Sequence, residues 1–216
     1  RARHGKWRTG KMVISEKAQH KQRRSFFTVH CSRFTFNKSM TRKESYRQML
    51  LRYNKERRRN LLAEPGAHEF VLVLDRLKPG FNVGKIFRSA EAFGANAVHL
   101  VKIGPFDPSP AKGSFRKVPA VFHESFTDCF AVLAGQGYSF FLLEPQAKTL
   151  LCAMELPHKS AFIFGHEEFG CRFEPDDYPQ MQTLTIPQFG SVQSLNVSIA
   201  ASIVMYEYVR QKLRNE

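Results

Sequence analysis

The stretch Ile186-Pro-Gln-Phe-Gly-Ser-Val-Gln-Ser-Leu-Asn-Val-Ser198 decides how the chain is read. Before it, Met181–Ile186 alternates and is rich in β-branched residues, so it is expected to be a strand. Pro187 has no N–H to give a sheet and ends that strand, and Gly190 suits a turn too tight for a side chain. Ser194 and Asn196 stand where a helix would begin, with side chains that can cap free N–H groups, and the apolar run Ile199–Tyr208 follows. A strand, a tight polar loop and a buried helix result. Such loops present backbone N–H and C=O groups to a small polar ligand.

The same pattern extends towards the N-terminus. Phe70–Leu74 is a continuous apolar run, as in a strand buried on both faces. Asn82–Gly94 reads as a helix capped by Asn82 and closed by Gly94, and Ala97–Val101 as the next strand. Strand, helix and strand within about thirty residues make a βαβ unit, hence a parallel sheet. A helix over 125–136 and strands over 138–143 and 161–164 complete an α/β domain spanning 67–216. Upstream, Thr41-Arg-Lys-Glu44 is a capping-box signature, and Tyr46, Met49, Leu50, Tyr53 and Leu61 recur at helical spacing, which predicts a helix over 42–62 ended by Pro65-Gly66. Residues 1–40 show no sustained period and are expected to be mobile, with a short hairpin around 25–36.

Charge divides the chain unevenly. Residues 1–66 hold 19 Lys and Arg against 4 Asp and Glu, the remainder 14 against 15, which together give the net charge of +14. A surplus confined to one end points to a polyanion partner, nucleic acid ahead of an acidic membrane or protein, and Arg57, Arg58 and Arg59 with Lys85 are candidate phosphate contacts. Phe26, Phe27, Phe34 and Phe36 lie among the basic residues, where they could stack on unpaired bases. Cys31, Cys129, Cys152 and Cys171 form no C-x-x-C pair and suit reduced intracellular thiols, so no metal site and a cytoplasmic location are expected. The chain has no apolar run long enough for a membrane span and no apolar signal-peptide core. It begins at Arg1, as a fragment or processed product would.

Three polar segments are the candidates for chemistry. On the helix 82–94, Ile86, Ala90 and Phe93 share a face, while Arg88 lies opposite them beside Lys85 and Glu91. Phe164-Gly-His-Glu-Glu-Phe-Gly170 follows a strand with an acidic pair between glycines that let a ligand approach the backbone. The third is the opening stretch with Gln193, Ser194 and Asn196. The chain lacks the G-x-G-x-x-G dinucleotide fingerprint and the P-loop lysine motif, so neither NAD nor ATP chemistry is supported.

Taken in order, Asn82-x-Gly84-x-Ile86-x-Arg88 with Gly94, Gly165-x-Glu167-x-x-Gly170, and Ile186-Pro187-x-x-Gly190-x-x-x-Ser194-Leu195-Asn196-Val197-Ser198 with Tyr206-Glu207 resemble the three motifs of SpoU/TrmH-type RNA 2′-O-ribose methyltransferases of the SPOUT superfamily. The resemblance covers about 70–210 and departs from the family at Gln188, where methionine is common, and at Cys171, where a larger aliphatic residue is. It implies a parallel sheet with a C-terminal deep trefoil knot, a homodimer with composite active sites, S-adenosylmethionine as cofactor and transfer RNA or ribosomal RNA as substrate. By position it implies cofactor contacts at Gly165, Ile186, Gly190 and Leu195, with Leu143 and Glu144 near the adenine. Arg88 would be the catalytic arginine, and Asn82, Glu167, Ser194 and Asn196 would position it and the substrate. Arginine, protonated far above neutral pH, is a poor base, so Arg88 would orient phosphate and stabilise a developing alkoxide. A non-catalytic RNA-binding or assembly protein on the same fold is the alternative.

Overall fold

The computed structural model describes residues 41–214. The expected hairpin at 25–36 and the expected mobility of 1–40 lie outside the described residues. Within them, strand β1 (Phe70–Asp75) is buried along its whole length, as are β2 (Ala97–Val101) and β6 (Ser160–Phe164). Such strands need cover on both faces, and two apolar layers supply it. With β3 (Ala120–His123), β4 (Ser139–Leu143), β5 (Thr149–Leu150) and β7 (Met181–Thr185) they form one seven-stranded sheet in the order β3-β2-β1-β6-β4-β7-β5. Every pairing is parallel.

The sheet's first face carries helices α1 (Arg42–Asn60), α2 (Phe81–Ala92) and α4 (Val197–Arg214). Their buried side chains include Tyr53, Ile86, Phe87, Met205 and Tyr208. The second face carries α3 (Phe126–Gly135) and the segment around Cys171, Phe173 and Tyr178. Each large apolar side chain so enclosed contributes roughly 1.5–3 kcal/mol of transfer free energy. Among the described residues no helix is long and apolar enough to cross a membrane.

Helix α1 has the anticipated capping box: the Glu44 N–H donates to Thr41 Oγ1 and the Thr41 N–H to the Glu44 carboxylate. It stops at Asn60, two residues short of the expected end, because Asn60 turns inward. The buried Asn60 amide donates to the carbonyls of Phe115 and Val118 and accepts from the Ala120 N–H, so both ends of the amide are satisfied. Tyr53 packs between Phe106 and Phe115. Helix α1 is thereby part of the compact unit formed by the described residues, although Tyr46 and Leu61 of its expected apolar face are exposed.

Two local expectations are corrected. Helix α2 begins at Phe81 with Gly80 at its N-cap and no side-chain cap, so Asn82 is not the cap. Helix α4 begins at Val197, three residues after Ser194. Its free N–H groups are met by Asn196, whose Oδ1 accepts from the Ser198 N–H at 3.0 Å and whose carbonyl accepts from Ile199 and Ala200. Strands β3 and β5 went unread because they are too short to show a period: four residues after Pro119 and two after Lys148.

Candidate functional site

The C-terminal ends of β4, β6 and β7 open onto a cleft of about 640 Å³, within the range of small-molecule sites. It lies beside the point where strand order reverses. From β1 the chain runs outward through β2 and β3, and the later strands fill the other side. Leu142, Leu143, Leu184, Ile186 and Leu195 give it an apolar floor, and Glu144, Glu167 and Glu168 are its acidic lining; among the described residues no Lys or Arg lines it.

Two loops wall it. Residues 165–170 close on themselves: His166 and Gly170 exchange both backbone hydrogen bonds at 2.9 Å. Gly170 sits at φ +64°, and a Cβ on Gly165 would lie 2.5 Å from the Gly170 carbonyl carbon. Glycine is needed at both ends of this hairpin, at the first because backbone approaches backbone and at the second because of the left-handed conformation. The His166 imidazole accepts from the Glu168 N–H at 3.1 Å and stacks on Phe169, so the ring serves the turn. The second loop, 186–196, is open. Gly190 has no atom within 4 Å of where its Cβ would stand and no positive φ, which corrects the expectation of a turn closed to side chains; nor does it line the cleft.

Side chains from all three motif segments meet at the cleft mouth. Glu167 accepts from the Lys78 N–H at 3.2 Å and from Asn82 Nδ2 at 3.1 Å. Asn82 Oδ1 in turn accepts from Asn196 Nδ2 at 3.3 Å, while Asn196 Oδ1 is held by Ser198. Asn82 is free for this role because it does not cap its own helix. Lys78 also reaches forward, its ammonium 2.5 Å from Glu168, and that hydrogen bond holds the Glu168 carboxyl below the usual carboxylate range. Both partners are exposed, so the pair contributes more to orientation than to stability.

The remaining sequence candidates divide in two. Leu143, Glu144, Gly165, Ile186, Ser194 and Leu195 line the cleft together with Glu167 and Asn196. Arg88 does not. It is exposed on α2, forms no ion pair or hydrogen bond among the described residues, and lies six residues beyond Asn82. That is about 9 Å along the axis and about 120° round it, off Asn82's face. Arg57, Arg58 and Arg59 are exposed in the last turn of α1, where Arg57 stacks 4.4 Å over Phe122 and Arg59 pairs with Glu56. Lys85 is exposed on α2. Gln188 was missed as a site residue: its Oε1 is buried at the cleft without a hydrogen-bond partner, and only its departure from the family pattern marked it.

Residues 69–206 match the SpoU rRNA Methylase family. The 23S rRNA (guanosine-2′-O-)-methyltransferase RlmB of Xylella fastidiosa is 31% identical over 159 residues, which cover 71% of this chain and 64% of that protein. The tRNA (guanosine(18)-2′-O)-methyltransferase of Escherichia coli is 29% identical over 148 residues, 67% of this chain and 64% of that one. The chain thus spans just under two thirds of the length of these curated relatives. Among solved structures, an AdoMet-bound rRNA methyltransferase from Sinorhizobium meliloti superposes with a TM-score of 0.61 at 25% identity, over 70% of this chain and 59% of that one.

Proposed function

The chain belongs to the SpoU rRNA methylase family, and on that premise we propose that it transfers a methyl group from S-adenosylmethionine to a ribose 2′-hydroxyl of structured RNA, ribosomal or transfer. The observation that carries this reading is the joining of Glu167, Asn82 and Asn196, from three separate motifs, at the mouth of a cleft lined by three glutamates. That lining suits a cationic sulfonium and disfavours a phosphorylated cofactor. The apolar floor suits an adenosine, and the orphaned Gln188 Oε1 offers an acceptor for an amino group. When bound, S-adenosylmethionine supplies an electrophilic methyl on its sulfur. Gly165, Ile186 and Leu195 would hold the cofactor largely through backbone, with Leu143 and Glu144 near its adenine. Asn82, Glu167, Ser194 and Asn196 would fix the ribose and exclude water, which converts binding into alignment of the reacting atoms.

Arg88 takes part through a homodimer in this reading. Because it stands off the Asn82 face of its own chain, it would serve the cleft of a second copy, binding phosphate and stabilising the 2′-oxygen as its proton leaves. Exposed Phe81, Ile199 and Tyr206, on the first turn of α2 and along α4, support such an interface. The C-terminal segment would thread through a loop to form the trefoil knot. The basic residues 1–66, including Arg57, Arg58 and Arg59 on α1, would bind the RNA backbone, and Lys85 would add a contact on α2. The cytoplasm is the expected compartment.

Incubation with methyl-labelled S-adenosylmethionine and separate pools of unmodified tRNA and rRNA tests the proposal. A labelled 2′-O-methylnucleoside is the expected product. Label on a base would overturn the ribose assignment. Cofactor binding with no label in either pool would favour the non-catalytic alternative.

A further inference from the structure

At the opposite end of the sheet from the cleft, where β3 and β2 form the edge, a second cluster of reactive side chains plays no part in the proposed methyl transfer. His99 on β2 and His123 on β3 point to the same face, as the parallel register requires: His99 faces Val121, and His123 lies two residues on, opposite Val101. His99 Nδ1 and His123 Nε2 are 2.9 Å apart, and the rings are nearly parallel at 5.1 Å between centroids. The Cys129 sulfur reaches down from α3, and the three donor atoms all lie within 4.8 Å of one another. Cys129 is fully buried and His99 nearly so, while His123 keeps an exposed side.

We propose that His99, His123 and Cys129 form a zinc site, with a water from the His123 side as fourth ligand. Zinc favours imidazole nitrogen and thiolate sulfur in tetrahedral array, at about 2.0–2.1 Å and about 2.3 Å. Those bond lengths place neighbouring ligand atoms about 3.3–3.8 Å apart, so the histidine pair need open by only about half an ångström. The donors come from two adjacent strands and the first half of a helix whose start is fixed by the Ser125 cap, so the backbone already holds the site. Burial pushes His99 down to about 3, with His123 adding to the effect, which leaves its ring neutral and able to coordinate.

Two acidic side chains act on the cluster. Asp128 acts on His123 from the first turn of α3, and Asp75, buried with its Oδ1 3.7 Å from Arg76 Nε and without a hydrogen bond, acts on Cys129. Burial holds the Asp75 carboxyl above the usual carboxylate range, an effect that the Arg172 backbone and the charges of Arg76, Lys102 and Arg172 only partly offset. Burial and Asp75 push the Cys129 thiol up to about 12, so in metal-free protein it is protonated. Binding breaks the His99–His123 hydrogen bond, moves the shared proton to the outer nitrogen of its own ring, and releases one proton from the thiol to solvent: a zinc ion in, a proton out. The bound ion would join α3 and the short edge strand β3 to β2.

The test is titration of the metal-stripped full chain with Co²⁺, whose spectrum reports thiolate ligation and tetrahedral geometry. One equivalent should bind with a near-ultraviolet thiolate-to-cobalt band and intense visible bands, both removed by Zn²⁺. His123→Gln and Cys129→Ser should abolish the bands, and Cys152→Ser, at an exposed thiol, should keep them. Because Cys129 is buried and its variant can fail to fold, His123→Gln at the end of β3 is the deciding variant. In parallel, Zn²⁺ should raise the melting temperature of the parent chain and not that of His123→Gln. No cobalt band in the parent chain, or a band that survives His123→Gln (as capture by another cysteine and histidine of the chain would give), overturns the site.

Discussion

The two loops that wall the cleft are built on opposite principles. The 165–170 hairpin is fixed by its own backbone: paired hydrogen bonds between His166 and Gly170, a left-handed Gly170, and a Gly165 with no room for a methyl group. The 186–196 loop has Gly190 and Phe189 in open solvent and is secured at its far end, by Asn196. One wall is preformed, and the other is held by side chains that can let go. In the proposed cofactor site, the first would define a shape and the second would admit a ligand as large as a nucleoside.

The largest effect expected from breaking this contrast is at Gly165. Gly165→Ala drives a methyl group into backbone, so thermal unfolding should show a loss of about 1–3 kcal/mol. Cofactor affinity measured by calorimetry should fall by about 100-fold, because a shift of about 1 Å misplaces the site. Asn196→Ala comes next. It removes the α4 cap and the Asn82 contact together, for a loss of about 1 kcal/mol in denaturant unfolding. Hydrogen exchange should then rise in 186–196 and stay unchanged in 166–170; equal rises in both would show that the loops are one unit.

Asn82→Asp sets a carboxylate against Glu167 and should destabilise by a few tenths of a kcal/mol, the size expected for exposed like charges. Exchange at the Lys78 amide, which Glu167 anchors, should quicken and should slow again in the double variant with Glu167→Gln. The smallest effect belongs to Gly190→Ala. With open space and ordinary backbone there, stability should change by less than about 0.5 kcal/mol. A loss as large as that at Gly165 would mean that 186–196 is as tightly determined as the hairpin.

The legible parts of the chain were those where a local rule and the tertiary packing agree. The apolar run of β1 announced a strand buried on both faces, β2 and β6 formed where strands were expected, and the Thr41 capping box and a helix within 125–136 formed as read. Asn82 shows where local rules fail. An asparagine near a helix start is most simply a cap, but Gly80 takes that position, and the amide turns to Glu167, 85 residues away. Asn60 fails in the same way: a polar residue at a helix end is buried because three backbone groups of the 115–120 segment need it. The short β3 is strand only because β2 offers it an edge, and it brings His123 within reach of His99.

By itself, then, the sequence determined the alternation of strands and helices, the basic N-terminal third and the three polar segments, because periodicity, capping and charge act over a few residues. Only the tertiary structure decided that the three segments meet through Asn82, that Arg88 stands apart from them, that Gln188 faces the cleft with an unpaired oxygen, and that two histidines and a cysteine converge at the far edge of the sheet. Those outcomes depend on which strands lie side by side. Sheet order is set by the burial of whole faces against each other, a property that no short stretch of the chain contains.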